Sequence, residues 1–278
     1  MSTEHSTEEE RIQFVLNRFK NADNYDARTG FHARHAARIV ELCADAVKPG
    51  HHVIDIATGT GFTALAAAPL VGATGEVIGV DISPNMLTKA KENAAKAGYA
   101  EPRLQFRLEN AERLPYADET FDVGFCSSAI PYFLDIPGSL RSFRRILKPG
   151  GLLAFSTYTA DSFTAAQMAR QMAHERYGIH VSDLKEPLDS VEKCRAVAIE
   201  AGFRAETVEV IVEDFSHYGD VSHAKKLCFI PTDNELYQRV SPEDMAAFRK
   251  DWEEALDSMV TEEGYPNKIE SLFVFARK

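Results

Sequence analysis

The sequence has few cysteines and lacks any apolar run long enough to cross a lipid bilayer. Its four cysteines, Cys43, Cys126, Cys194 and Cys228, are widely separated and form no C-x-x-C pair. Zinc sites and disulfide frameworks use closely spaced cysteines, so we predict free thiols and no metal site. The first residues, MSTEHSTEEE, also lack the basic and apolar segments of a secretory signal. We therefore expect a cytoplasmic protein that is not inserted into a membrane.

Basic residues are also scarce: 31 Lys and Arg stand against 42 Asp and Glu, which gives a formal net charge of -11. An acidic surface repels a phosphate backbone, so the composition disfavours nucleic acid as a partner. The one basic cluster, Arg141 with Arg144 and Arg145, has helical spacing, and a solvated helix face explains it. These features favour a small-molecule partner and leave homo-oligomerisation open.

Strand and helix patterns alternate along the first half of the chain. Alternation of this kind predicts βαβ units, and so an α/β fold with a Rossmann-like, doubly wound, mostly parallel sheet that carries helices on both faces. The predicted strands cover residues 53–56, 76–81, 104–107, 121–125, 152–156, 207–215 and 270–276. Ligands of such sheets bind beyond the carboxyl ends of the strands.

The domain organisation follows from the same patterns. We expect a disordered tail over residues 1–10 and a single domain over 11–278. Within that domain we expect an N-terminal helical cap (11–48), a cofactor-binding core (49–158) and a helical insertion (216–268) on the substrate side, before the last strand.

A glycine-rich turn follows the first predicted strand. Gly59 and Gly61 leave no side chain on the turn, and a helix begins directly after it, so backbone N–H groups are free to meet a ligand. The run from Gly59 to Ala64 satisfies G-x-G-x-x-G/A, and Asp81 has the offset of a ribose-binding acid. This pattern by itself fits a nicotinamide dinucleotide as well as other cofactors.

The longer context resembles one family. Asp55 precedes the glycines as D-x-A-x-G-x-G, and further matching segments follow at residues 79–87, 109–116, 121–122 and 145–151. In this order they resemble the class I S-adenosylmethionine-dependent methyltransferases of the ubiquinone/menaquinone-biosynthesis-like (type 11) group. The resemblance covers roughly residues 53–155 and implies S-adenosyl-L-methionine as cofactor and S-adenosyl-L-homocysteine as product.

The chemistry of this cofactor gives Asp81 a role: a carboxylate accepts from both hydroxyls of a ribose. The resemblance implies that the turn lies against the methionine part, with Asp55 helping to hold the amino group. It also implies that Asn110 accepts from the adenine amine, where the family commonly has an acid. The full predicted cofactor-binding set is Tyr25, Asp55, Ala57, Thr58, Gly59, Gly61, Asp81, Ile82, Met86, Asn110, Ala111, Glu112, Cys126 and Ser127.

Catalytic residues are harder to predict, because in-line methyl transfer depends mainly on alignment and exclusion of water, and a general base is optional. The candidates lie in segments expected to cover the site. They are His217, His223, Tyr25 and Tyr132, with Phe133 and Tyr218 as further wall residues. Cys126 is a poor nucleophile candidate because no histidine stands at a recognisable spacing from it.

Three functions stay open at this point. The first is a methyltransferase that acts on an oxygen, nitrogen, carbon or sulfur atom of a small molecule. The second is an NAD(P)-dependent oxidoreductase, and the third is a repurposed member that binds the cofactor without methyl transfer. The N-P-P-Y-like tetrad used on base amines is missing, since Ser127, Ser128, Ala129 and Ile130 occupy its position.

Overall fold

The computed structural model describes residues 8–20, 30–228 and 239–278. Its contacts divide the chain into two compact units. The first comprises the described residues within Met1–Thr157, Pro187–Ile211 and Leu272–Lys278, and the second comprises those within Tyr158–Glu186 and Val212–Ser271.

The described residues form nine strands: β1 (His52–Ile56), β2 (Glu76–Asp81), β3 (Leu104–Leu108), β4 (Phe121–Cys126), β5 (Leu147–Tyr158), β6 (Glu209–Asp214), β7 (His217–Gly219), β8 (Tyr265–Asn267) and β9 (Glu270–Arg277). Seven of them make one sheet in the order β3–β2–β1–β4–β5–β9–β6, while β7 and β8 pair separately. The five neighbouring strands β3, β2, β1, β4 and β5 are parallel to one another.

The last strand runs against its neighbours. At one end of β5 and β9, Gly150 N donates to Lys278 O (3.2 Å), and at the other Thr159 N donates to Glu270 O (3.0 Å). Residue numbers increase along β5 from the first of these bonds to the second, while they decrease along β9. Strand β9 is therefore antiparallel to β5. The sheet is therefore mostly parallel, and its connections reverse direction between β1 and β4.

The helices of the described residues are α1 (Glu8–Arg18), α2 (Gly30–Leu42), α3 (Phe62–Ala67), α4 (Pro84–Lys96), α5 (Ile136–Ile146), α6 (Thr164–Tyr177), α7 (Val191–Glu200), α8 (Val221–Cys228) and α9 (Pro242–Ser258). Short 3₁₀ turns lie at Ala44–Ala46, Ala111–Arg113, Ile130–Tyr132, Glu186–Leu188 and Ala205–Thr207. Side chains cap several helices: Ser83 accepts from Met86 N at α4, and Asp135 accepts from Gly138 N at α5. Such caps satisfy N–H groups that a helix start leaves free.

The core of the first unit lies between the sheet and helices α5 and α7. Phe121, Phe143 and Phe155 are fully buried there, packed with Leu140 of α5 and Ala198 of α7. Burial of apolar side chains is the main force that holds the layers together. It also fixes the carboxyl ends of β1, β2 and β4 at a common edge.

The second unit has its own apolar clusters. Trp252 of α9 is fully buried, and its indole Nε1 donates to Ala165 O of α6 (3.0 Å). Ala173 of α6 packs with Met245 and Phe248 of α9. Helix α6 therefore folds with the later helices of the chain.

The predicted fold class is confirmed: the sheet is doubly wound and mostly parallel. The predicted domain boundaries differ from the structure in two places. Residues 8–10, expected in the disordered tail, begin α1, where three glutamates favour a helix start. The expected insertion at 216–268 is part of a larger second unit, because α6 shares the core of that unit.

Candidate active site

A cavity opens at the carboxyl ends of the parallel strands in the first unit. Its empty space is about 1060 Å³, open solvent at its mouth included. The wall is formed by Arg11, Ile12, Val15, Phe19, His32, Ala36, Ala57, Thr58, Gly59, Thr60, Phe62, Thr63, Asp81, Ile82, Met86, Asn110, Ala111, Glu112, Ser127, Ser128, Ala129, Tyr132 and Phe133.

The two glycines of the turn after β1 do different things. Both have positive φ, 56° at Gly59 and 88° at Gly61, which side chains disfavour. A Cβ on Gly61 would lie 3.1 Å from the Phe106 ring, so this glycine permits close packing and lies off the cavity wall. A Cβ on Gly59 would meet nothing within 4 Å and would extend into open space. Gly59 therefore keeps a stretch of backbone bare at the cavity.

Asp55 lies behind the turn. It is 1 % exposed, and its Oδ2 accepts from Thr58 Oγ1 (2.5 Å) and from Ala64 N (3.0 Å). Burial raises the pKa of this carboxyl to about 7. We expected Asp55 to help hold an amino group, but the structure places it outside the cavity wall. Its observed contacts tie the turn to the first residues of α3.

Asp81 ends β2 and lies on the cavity wall. Its Oδ2 accepts from Gly59 N and its Oδ1 from Ser83 N, both at 2.8 Å. Burial raises the pKa of this carboxyl. Since each carboxylate oxygen has about two acceptor positions, both keep capacity for a further donor. The backbone thus orients a carboxylate whose remaining lone pairs serve the cavity.

The segment after β3 forms the end of the cavity on the β2–β3 side. Ile82, Met86 and Ala111 contribute apolar surface there. Asn110 lies on the wall as predicted, but its Oδ1 already accepts from Glu112 N (2.9 Å) and caps the 3₁₀ turn. One acceptor position of the oxygen that we expected to serve a ligand is therefore used by the chain itself.

Glu112 fixes the loop before α5. Its Oε1 accepts from Leu134 N (2.9 Å) and Asp135 N (3.2 Å). Arg11 of α1 also lies on this wall, and burial lowers its pKa while Glu112 opposes that shift. We did not predict a role for Arg11, because only the packing of α1 brings it to the cavity.

The end of β4 carries a hydrogen-bonded polar group. His35 Nδ1 lies 3.3 Å from both Ser127 Oγ and Ser128 Oγ. Ser156 Oγ of β5 accepts from Ser128 N (3.0 Å) and lies 3.4 Å from Ser127 Oγ. His35 itself is fully buried, so these contacts hold the loop after β4 rigidly against α2.

Cys126, predicted among the cofactor-binding residues, lies beneath this loop. It is fully buried, off the cavity wall, and burial raises the pKa of its thiol well above the usual range. A protonated, inaccessible thiol is a poor nucleophile. Ser127, by contrast, does lie on the wall.

His32, like Arg11, is a wall residue that we did not predict from the sequence. It lies one helical turn before His35 on α2, and burial lowers the pKa of its imidazole to about 4. His35 is lowered further, to about 3. Spacing of three residues on a helix places two histidines on one face, and that pattern was available in the sequence.

Of the predicted catalytic candidates, Tyr132 lies on the cavity wall. Its hydroxyl accepts from Arg18 Nε (3.1 Å), and its ring packs edge-on against Phe19 at 5.5 Å between centroids. Phe133 lies on the wall as well. Helix α1 is thereby fastened to the loop after β4.

Two further catalytic candidates, His217 and His223, are not part of this wall. His217 of β7 and His223 of α8 belong to the second unit, as does Tyr218. His217 Nδ1 lies 3.2 Å from Phe215 O within that unit. Tyr25 lies outside the described residues. Their predicted roles stay predictions.

A family model described as a methyltransferase domain matches residues 47–202, more than half of the chain. The chain belongs to the methyltransferase family. The predicted resemblance to S-adenosylmethionine-dependent methyltransferases is thus confirmed. The matched residues contain the turn after β1, Asp81 and the loop after β4, and so most of the cavity wall of this methyltransferase.

Curated relatives carry quinone-related names. The methyltransferase is 40% identical over 107 residues to a 2-phytyl-1,4-naphtoquinone methyltransferase of Trichormus variabilis, covering 38% of this chain and 46% of the relative. It is 37% identical over 149 residues to a demethylmenaquinone methyltransferase of Symbiobacterium thermophilum, covering 51% and 58%. The chain therefore spans about half the length of these relatives.

A solved structure shares the fold. A SAM-dependent methyltransferase from Aquifex aeolicus superposes with a TM-score of 0.54 at 16% identity, covering 94% of this chain and 97% of that one. Among the residues described, no helix is long and apolar enough to span a membrane, and no three His, Cys, Asp or Glu are grouped to hold a metal ion.

Proposed function

We propose that this methyltransferase binds S-adenosylmethionine in the cavity and transfers its methyl group to a small apolar acceptor. The observation that carries the proposal is Asp81: an oriented carboxylate, held by Gly59 N and Ser83 N at 2.8 Å each, with both oxygens able to accept again. A vicinal diol fits such a carboxylate, since each hydroxyl can donate to one oxygen.

The rest of the wall fits the same molecule. Ile82, Met86 and Ala111 offer apolar surface for a flat ring beside Asp81, and the bare backbone at Gly59 leaves room for an extended chain. The cofactor, when bound, would supply a methyl group activated on a positively charged sulfur. The residues of the chain would orient it and keep water away, which lowers the barrier without a covalent enzyme intermediate.

A nicotinamide dinucleotide is the competing ligand, because Asp81 would accept from its ribose equally well. A dinucleotide also needs a partner for its pyrophosphate. Among the described residues, the charged side chains that line the cavity are Asp81, Glu112 and Arg11, and the Arg11 guanidinium is near Glu112. Two carboxylates on the wall repel the negatively charged pyrophosphate of a dinucleotide and attract a positively charged sulfonium. The charges of the wall therefore support S-adenosylmethionine.

The acceptor that we propose is an apolar ring compound. Ile12, Val15 and Phe19 of the α1 region and Phe133 after β4 give the cavity an apolar lining beyond what the cofactor needs. The quinone-related names of the relatives support the same class. The atom that receives the methyl group stays open between oxygen, nitrogen, carbon and sulfur.

The experiment that tests the cofactor is thermal unfolding with S-adenosylhomocysteine, NAD and NADP, each at the same concentration. A ligand at 100 times its Kd stabilises the folded state by about 2.7 kcal/mol, which raises the melting temperature measurably. We expect a rise with S-adenosylhomocysteine and none with either dinucleotide. A rise with a dinucleotide alone would overturn the proposal. A repurposed, non-transferring member would bind S-adenosylhomocysteine but yield no methylated product from labelled cofactor.

A further inference from the structure

The strand order gives the cavity a direction. Asp81 ends β2, the turn of Gly59 follows β1, Ser127 follows β4 and Ser156 lies on β5, so these residues are met in that order along one edge of the sheet. Neighbouring strands are about 4.8 Å apart, so the end of β4 lies about 10 Å from the end of β2. A cofactor whose ribose is held at Asp81 and whose chain passes Gly59 therefore extends toward the end of β4.

His32 lies at that far end. It is on the wall with Ser127 and Ser128, and the helix that carries it is fixed by His35, which bonds to both serines at 3.3 Å. His35 also stacks on Phe273 of β9, at 4.7 Å between ring centroids. The imidazole of His32 is thus held on a rigid support, next to the place where a methyl group would be transferred.

We propose that His32 is a catalytic residue that accepts the proton which the methyl acceptor loses. This inference rests on the proposed function and assigns the acceptor subsite to the β4–β5 side of the cavity. The acceptor class is a ring compound with a hydroxyl group: the hydroxyl would carry the proton that His32 takes, and the apolar wall residues Val15, Ala36 and Phe133 would contact the ring.

The step balances in atoms and charge. A ring nitrogen of His32 takes the hydroxyl proton of the acceptor, and the electron pair of that O–H bond stays on the acceptor. The oxygen, or a ring carbon conjugated with it, then uses an electron pair to form the bond to the methyl carbon. The carbon–sulfur bond breaks and leaves its pair on sulfur. The positive charge lost by sulfur is gained by the imidazole, so the buried cavity carries the same net charge before and after the transfer.

The surroundings of His32 keep its imidazole neutral before the step. Burial lowers the pKa of His32 to about 4, so its imidazole is uncharged at neutral pH. The titratable and charged groups around the cavity are Arg11 on α1, His35 on α2, Asp81 after β2, Glu112 after β3 and Tyr132 after β4. The loss of positive charge from sulfur would favour the protonated form of His32 during the step, although the pKa of its imidazole is low beforehand.

One test locates His32 without any acceptor. The protein, labelled with ¹³C at histidine Cε1, is saturated first with S-adenosylhomocysteine and then with S-adenosylmethionine, and the signals of its nine histidines are compared. His32→Gln assigns the His32 signal by its loss. We expect the His32 signal to shift most between the two complexes, because they differ only in the methyl group and its charge. An unchanged His32 signal would overturn the inference.

A second test measures transfer to naphthalene-1,4-diol kept reduced. We expect His32→Gln to slow the transfer at least about 100-fold, the lower end of the range for lost general-base catalysis, while the Kd of S-adenosylhomocysteine changes less than threefold. His180→Gln removes an imidazole whose side chain is 75% exposed and serves as the matched control, with an unchanged rate. An unchanged rate in His32→Gln refutes the role of His32.

The outcomes separate this inference from the proposed function. If the unaltered protein fails to bind S-adenosylhomocysteine, the proposed function fails. If it binds the cofactor and methylates the diol, but His32→Gln does so equally fast, only the inference fails. If it binds the cofactor yet leaves the diol unmethylated, the proposed acceptor class is wrong.

Discussion

The two ends of the cavity are built by different means. On the β2–β3 side, Asp81 and Asn110 lie within two residues of a strand end, and each accepts from a backbone N–H two residues later in the chain, with Gly59 N as a second donor to Asp81. On the β4–β5 side, the polar wall needs helix α2, two neighbouring strands and His35 to come together. The first end is a product of local sequence, whereas the second is a product of tertiary packing. We expect the first to bind the cofactor and the second to serve the acceptor.

The largest effect is expected from Asp81→Ala. It removes the carboxylate proposed to accept from two ribose hydroxyls, and each hydrogen bond to a charged group contributes about 1.5–3 kcal/mol. We predict that the affinity for S-adenosylhomocysteine, measured by calorimetry, falls at least 100-fold. Asp122→Asn is the matched control, because Asp122 also accepts from a backbone N–H (His52 N, 2.9 Å) but lies at the start of β4, off the cavity wall. Equal losses in the two variants would contradict the ribose role.

Asp55→Asn tests the carboxylate behind the turn, whose expected effect is on the stability of the fold, whereas the expected effect of Asp81 is on ligand affinity. The pKa of Asp55 is raised to about 7 in the folded protein, against an ordinary value of 3.8, so the folded state binds more protons between these pH values. The stability that this group contributes is therefore fully present below about pH 4 and is lost as the pH rises through 7.

An asparagine carries no such proton, so Asp55→Asn should gain stability relative to the unaltered protein between pH 5 and 8, by about 3 kcal/mol. Denaturant unfolding at a series of pH values measures this difference. In Asp122→Asn the difference should stay flat over that range, because the pKa of Asp122 is lowered and its contribution is lost only in more acidic solution. A flat difference for Asp55→Asn would show that Asp55 is already ionised at pH 5.

The smallest effect is expected from Asn110→Ala. The side-chain oxygen of Asn110 already accepts from Glu112 N (2.9 Å), so the variant should lose a cap worth about 1 kcal/mol of unfolding free energy. The affinity for S-adenosylhomocysteine should change less than threefold. A loss of tenfold or more would mean that the amide leaves its cap to bind the adenine, as the family resemblance first implied.

These contrasts show how far the sequence predicts the site. Three wall residues lie at a strand end or shortly after it: Gly59, Asp81 and Ile82. Because the carboxyl ends of parallel strands meet at one edge, their presence in the cavity follows from the motif and the fold class. The mostly parallel sheet follows from the same alternation of patterns. Local periodicity and strand-end rules were sufficient for this part of the molecule.

The remaining features depend on information that no single segment contains. His32 and Arg11 reach the cavity only through the packing of α2 and α1 on the sheet. The part that α6 plays in the second unit depends on apolar contacts with a helix about 70 residues later in the chain, such as Ala173 with Phe248. Asp55 stands in the predicted motif, but whether it faces the ligand or the helix start is decided by which backbone N–H groups it satisfies.

The most direct test of the account is a crystal structure of the complex with S-adenosylhomocysteine. We predict both ribose hydroxyls within hydrogen-bond distance of the Asp81 carboxylate, and the sulfur atom on the side of Ser127 and His32. A ribose held elsewhere, or a sulfur atom that points away from the end of β4, would contradict the proposed direction of the cavity and with it the assignment of its two ends.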